Sequence, residues 1–150
     1  MKLVLADLRK INLIGANLKG SDFTRSNLAG ANIREALLED ACLVRTTLAG
    51  AILAGANFTG ADLTSANLAG ADLAWVDLTG TKLEGAILSW CNLTCSNLAG
   101  AKLTGADFTG ANLTAADFTG AQMAGADFAG AKLNKWTKGL NAQQLVDVTK

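Results

Sequence analysis

The chain has 150 residues, enough for one domain with a buried core, and its 13 basic and 13 acidic side chains cancel. Half of it is apolar, yet the aromatics are only 5 Phe and 3 Trp, and there is no Tyr, Pro or His. The missing His excludes Ser-His and Cys-His relays and imidazole metal sites, and the balanced charge removes any general attraction to nucleic acid. No apolar run approaches the roughly 18 residues of a membrane helix, and the opening MKLVLADLRK has too short an apolar stretch for a signal peptide. Three Cys at irregular spacing imply no disulfide framework. The expectation is a soluble protein of a reducing, cytoplasmic compartment.

Along the chain one repeat dominates. Counting in fives, a single phase runs from Leu3 to Leu133, and all 27 of its positions are Leu, Ile, Met or Phe. Two residues before each centre, 18 of 26 positions are Ala; one residue before it, 17 of 26 are Asp or Asn. Two residues after the centre stand 15 of the 16 glycines. A period of five suits neither a 3.6-residue helix nor a long plain strand. Within a unit, however, the small residue and the centre are two apart, which in extended backbone puts both on one face. A Gly-rich corner then turns the chain. The pattern predicts a solenoid whose core alternates large and small residues, with Asp, Asn, Thr and Lys as a solvated face.

Runs such as Ala61-Asp62-Leu63-Thr64-Ser65 and Ala106-Asp107-Phe108-Thr109-Gly110 resemble the pentapeptide-repeat proteins, whose motif is A(D/N)LXX. The resemblance covers about residues 1–135. It implies an all-β fold, a right-handed quadrilateral parallel β-helix with 20 residues per coil, hence six to seven coils here. At roughly 4.8 Å per stacked strand the rod is about 32 Å long.

The outer positions depart from the pattern in two stretches. The first carries Leu37, Cys42, Thr47 and Ile52 before the centre, and Glu35, Asp40 and Arg45 in place of Gly. The second carries Trp75, Lys82, Ile87, Trp90 and Cys95. With 20-residue stacking, Cys95 lies over Trp75, and Ile52 and Ile87 face outward on the same or the adjoining side. Outward Trp at positions normally held by Gly is unusual, and aromatics concentrate at interface centres. Ile52, Trp75, Ile87, Trp90 and Cys95 therefore form a candidate partner surface. Cys91 and Cys95 point apart, so they chelate no metal together, and no cofactor is implied. GxxxxG strings abound but none is followed by GK[ST], so there is no phosphate loop. No pair of acids stands out as an acid/base pair, and no enzyme is expected.

Past Leu133 the sequence reads NKWTKGLNAQQLVDVTK. Asn141 and Gln144 have capping-box spacing, and Leu140 with Leu145 has hydrophobic-staple spacing, which predicts a short helix over about 142–149. Trp136 falls in the inward phase and is expected to lid the core. Residues 136–150 are read as a C-terminal cap on the 1–135 solenoid, the alternative being a dimer element. Leu3 is already a repeat centre, so the N-terminal edge is expected to be bare and to offer a second route to a homodimer.

Charge is segregated: residues 1–50 carry +2, residues 51–130 carry −5 and residues 131–150 carry +3. The resemblance adds a second functional reading, because well-understood members imitate B-DNA and bind DNA gyrase. Over four coils, roughly 19 Å, duplex DNA carries about 11 negative charges, more than twice what this chain offers. An ice-binding surface would need a regular Thr array, which the stacked Lys19, Glu39, Thr59, Thr79, Ala99 and Thr119 do not supply. The leading expectation is a non-catalytic scaffold or protein-interaction rod, bacterial and of cyanobacterial type. A gyrase or topoisomerase modulator is the alternative, and neither membrane nor nucleic acid is a direct partner.

Overall fold

The structure is a computed structural model that describes residues 1–147. Parallel bridges join each residue before a centre to the one 20 positions on, from Lys2–Asp22 through to Asn112–Lys132. Each coil therefore has four pentapeptide sides. The first side holds 1–5, 21–25, 41–45 and so on; the second, third and fourth begin at 6, 11 and 16.

The backbone amides of one unit account for this geometry. Leu63 N–H donates to Lys82 O at 2.7 Å and Ser65 N–H to Glu84 O at 2.9 Å, both in the next coil. Asp62 N–H donates back to Ala41 O at 2.9 Å, and Ala66 N–H closes the corner on Leu63 O at 2.9 Å. Only the Thr64 amide lies outside this ladder, and Asp62 Oδ1 accepts it at 3.1 Å. The same side-chain turn recurs at Asn27, Asn57, Asp77, Asp107 and Asp127. Asp and Asn stand before the centre because their short acceptors reach the amide two residues on. They are more than a solvated face.

The centres form one continuous core. Those from Leu18 through Phe118 are buried, as is Phe128, while Leu3, Leu8, Leu13, Met123 and Leu133 towards the two ends are only partly buried. Phe108 and Phe128 stack at 5.0 Å between ring centroids, and Phe118 meets them edge-on at 5.7 and 5.9 Å. Where Ala gives way to Thr46, Thr81 or Cys91 inside, the side chain finds a carbonyl of the preceding coil, whereas Ser26 Oγ donates to Phe23 O within its own coil and Ser96 Oγ is buried without a partner among the described residues. Thr46 Oγ1 donates to Phe23 O at 2.7 Å, Thr81 Oγ1 to Phe58 O at 3.0 Å, and Cys91 Sγ to Leu68 O at 2.9 Å. Burial pushes the Cys91 thiol up to about 12, so it stays protonated and inert.

The end of the rod corrects one expectation. Trp136 does not lid the core; it is 60% exposed. Asn134 adds a residue, and the next bridge joins Asp117 to Lys138, 21 positions on. Asn134 Oδ1 accepts the Ala115 amide at 3.0 Å, replacing the carbonyl that the extra residue displaces. Thr137 takes the inward position, donating from Oγ1 to Leu113 O at 2.8 Å as Thr46 and Thr81 do in earlier coils. Gly139, at φ 80°, then crosses the core where a centre would stand, and a methyl group there would strike the Phe118 carbonyl carbon.

Helix α1 spans Ala142–Asp147, and the last part of the expected 142–149 helix lies outside the described residues. Asn141 Oδ1 accepts the Gln143 and Gln144 amides at 3.0 and 3.1 Å, and Gln144 Oε1 accepts the Asn141 amide at 2.7 Å. Gln144 is buried and Leu140 packs against the core, whereas Leu145 is half-exposed. A cleft of about 530 Å³ remains between α1 and the last coil, beside Met123 and Gly139.

Candidate interaction surface

The corner residue of every regular unit is in the left-handed region, which explains why Gly dominates there. Trp75 (φ 59°), Trp90 (φ 61°) and Cys95 (φ 58°) are three of the eleven non-Gly residues that adopt the same conformation. A side chain in that region costs roughly 1–2 kcal/mol, only partly offset by the roughly 0.4–1 kcal/mol by which it stiffens the unfolded chain relative to Gly. The fold alone therefore gives no reason for tryptophan at these corners.

Both rings are open to solvent, with Trp75 70% and Trp90 73% exposed. They flank the third side, Trp90 on the corner where that side begins and Trp75 on the corner where it ends, one coil earlier. Trp90 rests against the Gly110 corner, where a methyl group on Gly110 would sit 2.6 Å from Trp90 Cε3. Ile52, Asp72 and Asn92 run up the third side between the two corners, joined by successive bridges. Ile87, itself 40% exposed, stands on the second side in the same unit as Trp90. Cys95 is half-buried at the corner above Trp75. The stacking thus places all five residues on two adjoining sides of neighbouring coils.

A polar element in the middle of this surface escaped the sequence reading. Asp72 Oδ1 accepts the Ala74 amide at 3.2 Å and Asn92 Nδ2 at 3.0 Å. Oδ2 has no partner among the described residues. The carboxylate is thereby oriented by one oxygen and leaves the other available, on the same side as Trp75 and one coil below the corner of Trp90, whose ring leans away toward Gly110. The signal was the position of Asp72 three residues before Trp75, on the side that Trp75 and Trp90 flank in the 20-residue stacking.

Elsewhere two acids of the middle and later coils are paired. Asp62 meets Lys82 at 3.2 Å and Asp117 meets Lys138 at 2.9 Å. Hydrogen bonds from the Thr119 hydroxyl and from Lys138 hold the Asp117 carboxyl down to about 2. Among the described residues no three His, Cys, Asp or Glu side chains gather where they could hold a metal ion, and no helix is long and apolar enough to cross a membrane.

A four-sided right-handed parallel β-helix with these repeats defines a class of solenoid. Residues 2–40, 41–80, 71–110 and 96–134 match the profile of pentapeptide repeats, in 8 copies, and the chain belongs to the pentapeptide-repeat family. Among solved structures it is similar to Rfr23, a pentapeptide repeat protein from the cyanobacterium Cyanothece 51142. Identity is 27%, the TM-score 0.56, and the match covers 90% of this chain and 88% of that one. It is also similar to alr5209, a pentapeptide repeat protein from Nostoc Pcc 7120, with 32% identity, a TM-score of 0.58, and coverage of 69% and 84%. QnrB1, a plasmid-mediated fluoroquinolone resistance protein, is 21% identical with a TM-score of 0.57 over 89% of this chain and 71% of that chain, a likeness of fold. A sequence search of curated proteins returns no match.

Proposed function

We propose that this chain is a non-catalytic interaction rod that binds a protein partner through the surface around Trp75 and Trp90. The observation that supports the reading is the pair of indoles, 70% and 73% exposed, at corners whose backbone favours Gly. Nine other non-Gly corners share that conformation, so what singles these two out is their exposed aromatic surface. Aromatic side chains with few rotatable bonds are also effective interface anchors. The double variant Trp75→Gly/Trp90→Gly is expected to melt within about 3 °C of wild type or above it, because it relieves left-handed strain while losing little buried surface. A pull-down from a bacterial lysate should recover a protein with wild type and lose it with this variant. Identical recovery by both would remove these corners from the interface.

The alternative, a DNA-mimicking modulator of gyrase, draws on the family and on the acidic middle of the rod. Its weakness is charge density. Two of the seven acids between residues 51 and 130 are neutralised by Lys82 and Lys138, and the rest are divided among four sides. Little inhibition is expected in a gyrase supercoiling assay at low-micromolar protein. Potent inhibition, lost on changing Asp72, Asp77 and Asp107 to Lys, would reverse the ranking.

A further inference from the structure

Stacking the sequence on its four sides separates charges that the linear chain interleaves. Between residues 46 and 120 the second, third and fourth sides carry Asp72, Asp77, Asp107 and Asp117 and no Lys or Arg. Lys82 and Lys102, the two bases of that stretch, both stand on the first side. Asp117 is taken up by Lys138, which leaves Asp72, Asp77 and Asp107 around the tryptophan corners. Within these coils a partner that lands on Trp75 and Trp90 thus meets negative charge only, the bases Arg34 and Lys132 of the third side standing two coils below Ala74 and two coils above Asn92. Three residues before Trp75 is the Asp72 carboxylate, held through Oδ1 with Oδ2 unpartnered among the described residues.

We infer that the Trp75–Asp72–Trp90 surface receives an arginine-bearing segment of a polypeptide partner, which deepens the interaction reading above and rests on it. Three extended residues and one coil step put the two corners on the order of 10 Å apart, a span that one or two side chains of a bound segment fill. A guanidinium is planar: it stacks on an indole face and can still direct N–H groups at a carboxylate. The ammonium of lysine is a strongly hydrated point charge and offers no such plane. The open indoles and the oriented Asp72 carboxylate together match the first chemistry better than the second. A membrane surface is the other destination for paired exposed tryptophans, but the carboxylates around them would be repelled by anionic lipid headgroups.

The test uses the full chain, labelled at its indole N–H groups for NMR, with Trp136 as internal reference. A Gly-Arg-Gly-Arg-Gly peptide is titrated to millimolar concentration beside its lysine and citrulline counterparts. The arginine peptide is expected to move the Trp75 and Trp90 signals and leave Trp136 in place. Binding should weaken at least fivefold with lysine, more with citrulline, and at least fivefold with Asp72→Asn. It should also weaken as salt rises. Unmoved Trp75 and Trp90 signals, equal shifts with citrulline, or preferential co-sedimentation with phosphatidylcholine vesicles would overturn the inference. Such a result leaves the tryptophan-dependent pull-down unaffected, so the two readings fail separately.

Discussion

Leu63→Asp and Leu98→Asp are each expected to abolish the cooperative melt and most of the β signal in circular dichroism. Both leucines are fully buried, in the fourth and fifth of the stacked coils. Removing a buried leucine costs about 2–5 kcal/mol, and an unpaired carboxylate in the same place adds several more. Total stabilities of about 5–15 kcal/mol leave little after such a loss. A solenoid is stabilised by contacts between neighbouring units, so a failure in the middle divides the rod into two halves, each too short to stand well. Leu98→Met, which keeps volume and apolar character, should retain the transition and serves as the control. An aspartate variant that melts like wild type would mean that the inward phase has been misassigned.

That phase was legible because no centre from Leu3 to Leu133 breaks it, through both irregular stretches. The coil length was not, since a period of five is compatible with any number of sides. Family resemblance supplied four sides, and the bridges from Lys2–Asp22 onward carry them in the structure. The role of Asp and Asn was legible only in part. Their outward placement follows from the alternation, but their bond to the amide two residues on depends on a corner geometry that composition does not state. A clue was present in the Thr that follows at that spacing in Asp22–Thr24 and Asp62–Thr64, where the hydroxyl shares the same acceptor oxygen at 2.6 Å.

Trp136 shows how extrapolating a period fails. Nothing in a five-residue count marks where an extra residue enters, so the inward position was carried past Asn134 unchanged. The sixteenth glycine, Gly139, was the sign, being the one out of phase with all the others. It sits where the shifted register would place a centre, and the backbone there lies too close to Phe118 for any side chain. The interaction surface had a similar history. Exposed Trp75 and Trp90 followed from position alone, whereas the orientation of the Asp72 carboxylate required the lateral pairing of Asp72 with Asn92.

Deleting residues 137–150 is expected to lower the melting temperature by roughly 5–10 °C and to promote aggregation. A six-residue helix is not stable alone in water, so α1 depends on what lies beneath it. Its approach is tied down by the Thr137 bond to Leu113 O, the Lys138–Asp117 pair, the passage of Gly139 across Phe118 and the packing of Leu140 on the core. Covering its own coil end needs no second chain, whereas a dimer loses translational freedom on association. Because the Asp117 carboxyl is depressed to about 2, its contribution is present above the ordinary carboxylate range and is lost as pH falls through about 2. The tail should accordingly stay attached at pH 4. Gly139→Ala is the subtler probe, since a methyl group directed at the Phe118 backbone must lift the segment without removing it. It should reproduce part of the loss in melting temperature while leaving sedimentation monomeric. A wild-type dimer together with a soluble, equally stable truncated monomer would instead make this tail the contact between two copies of the chain.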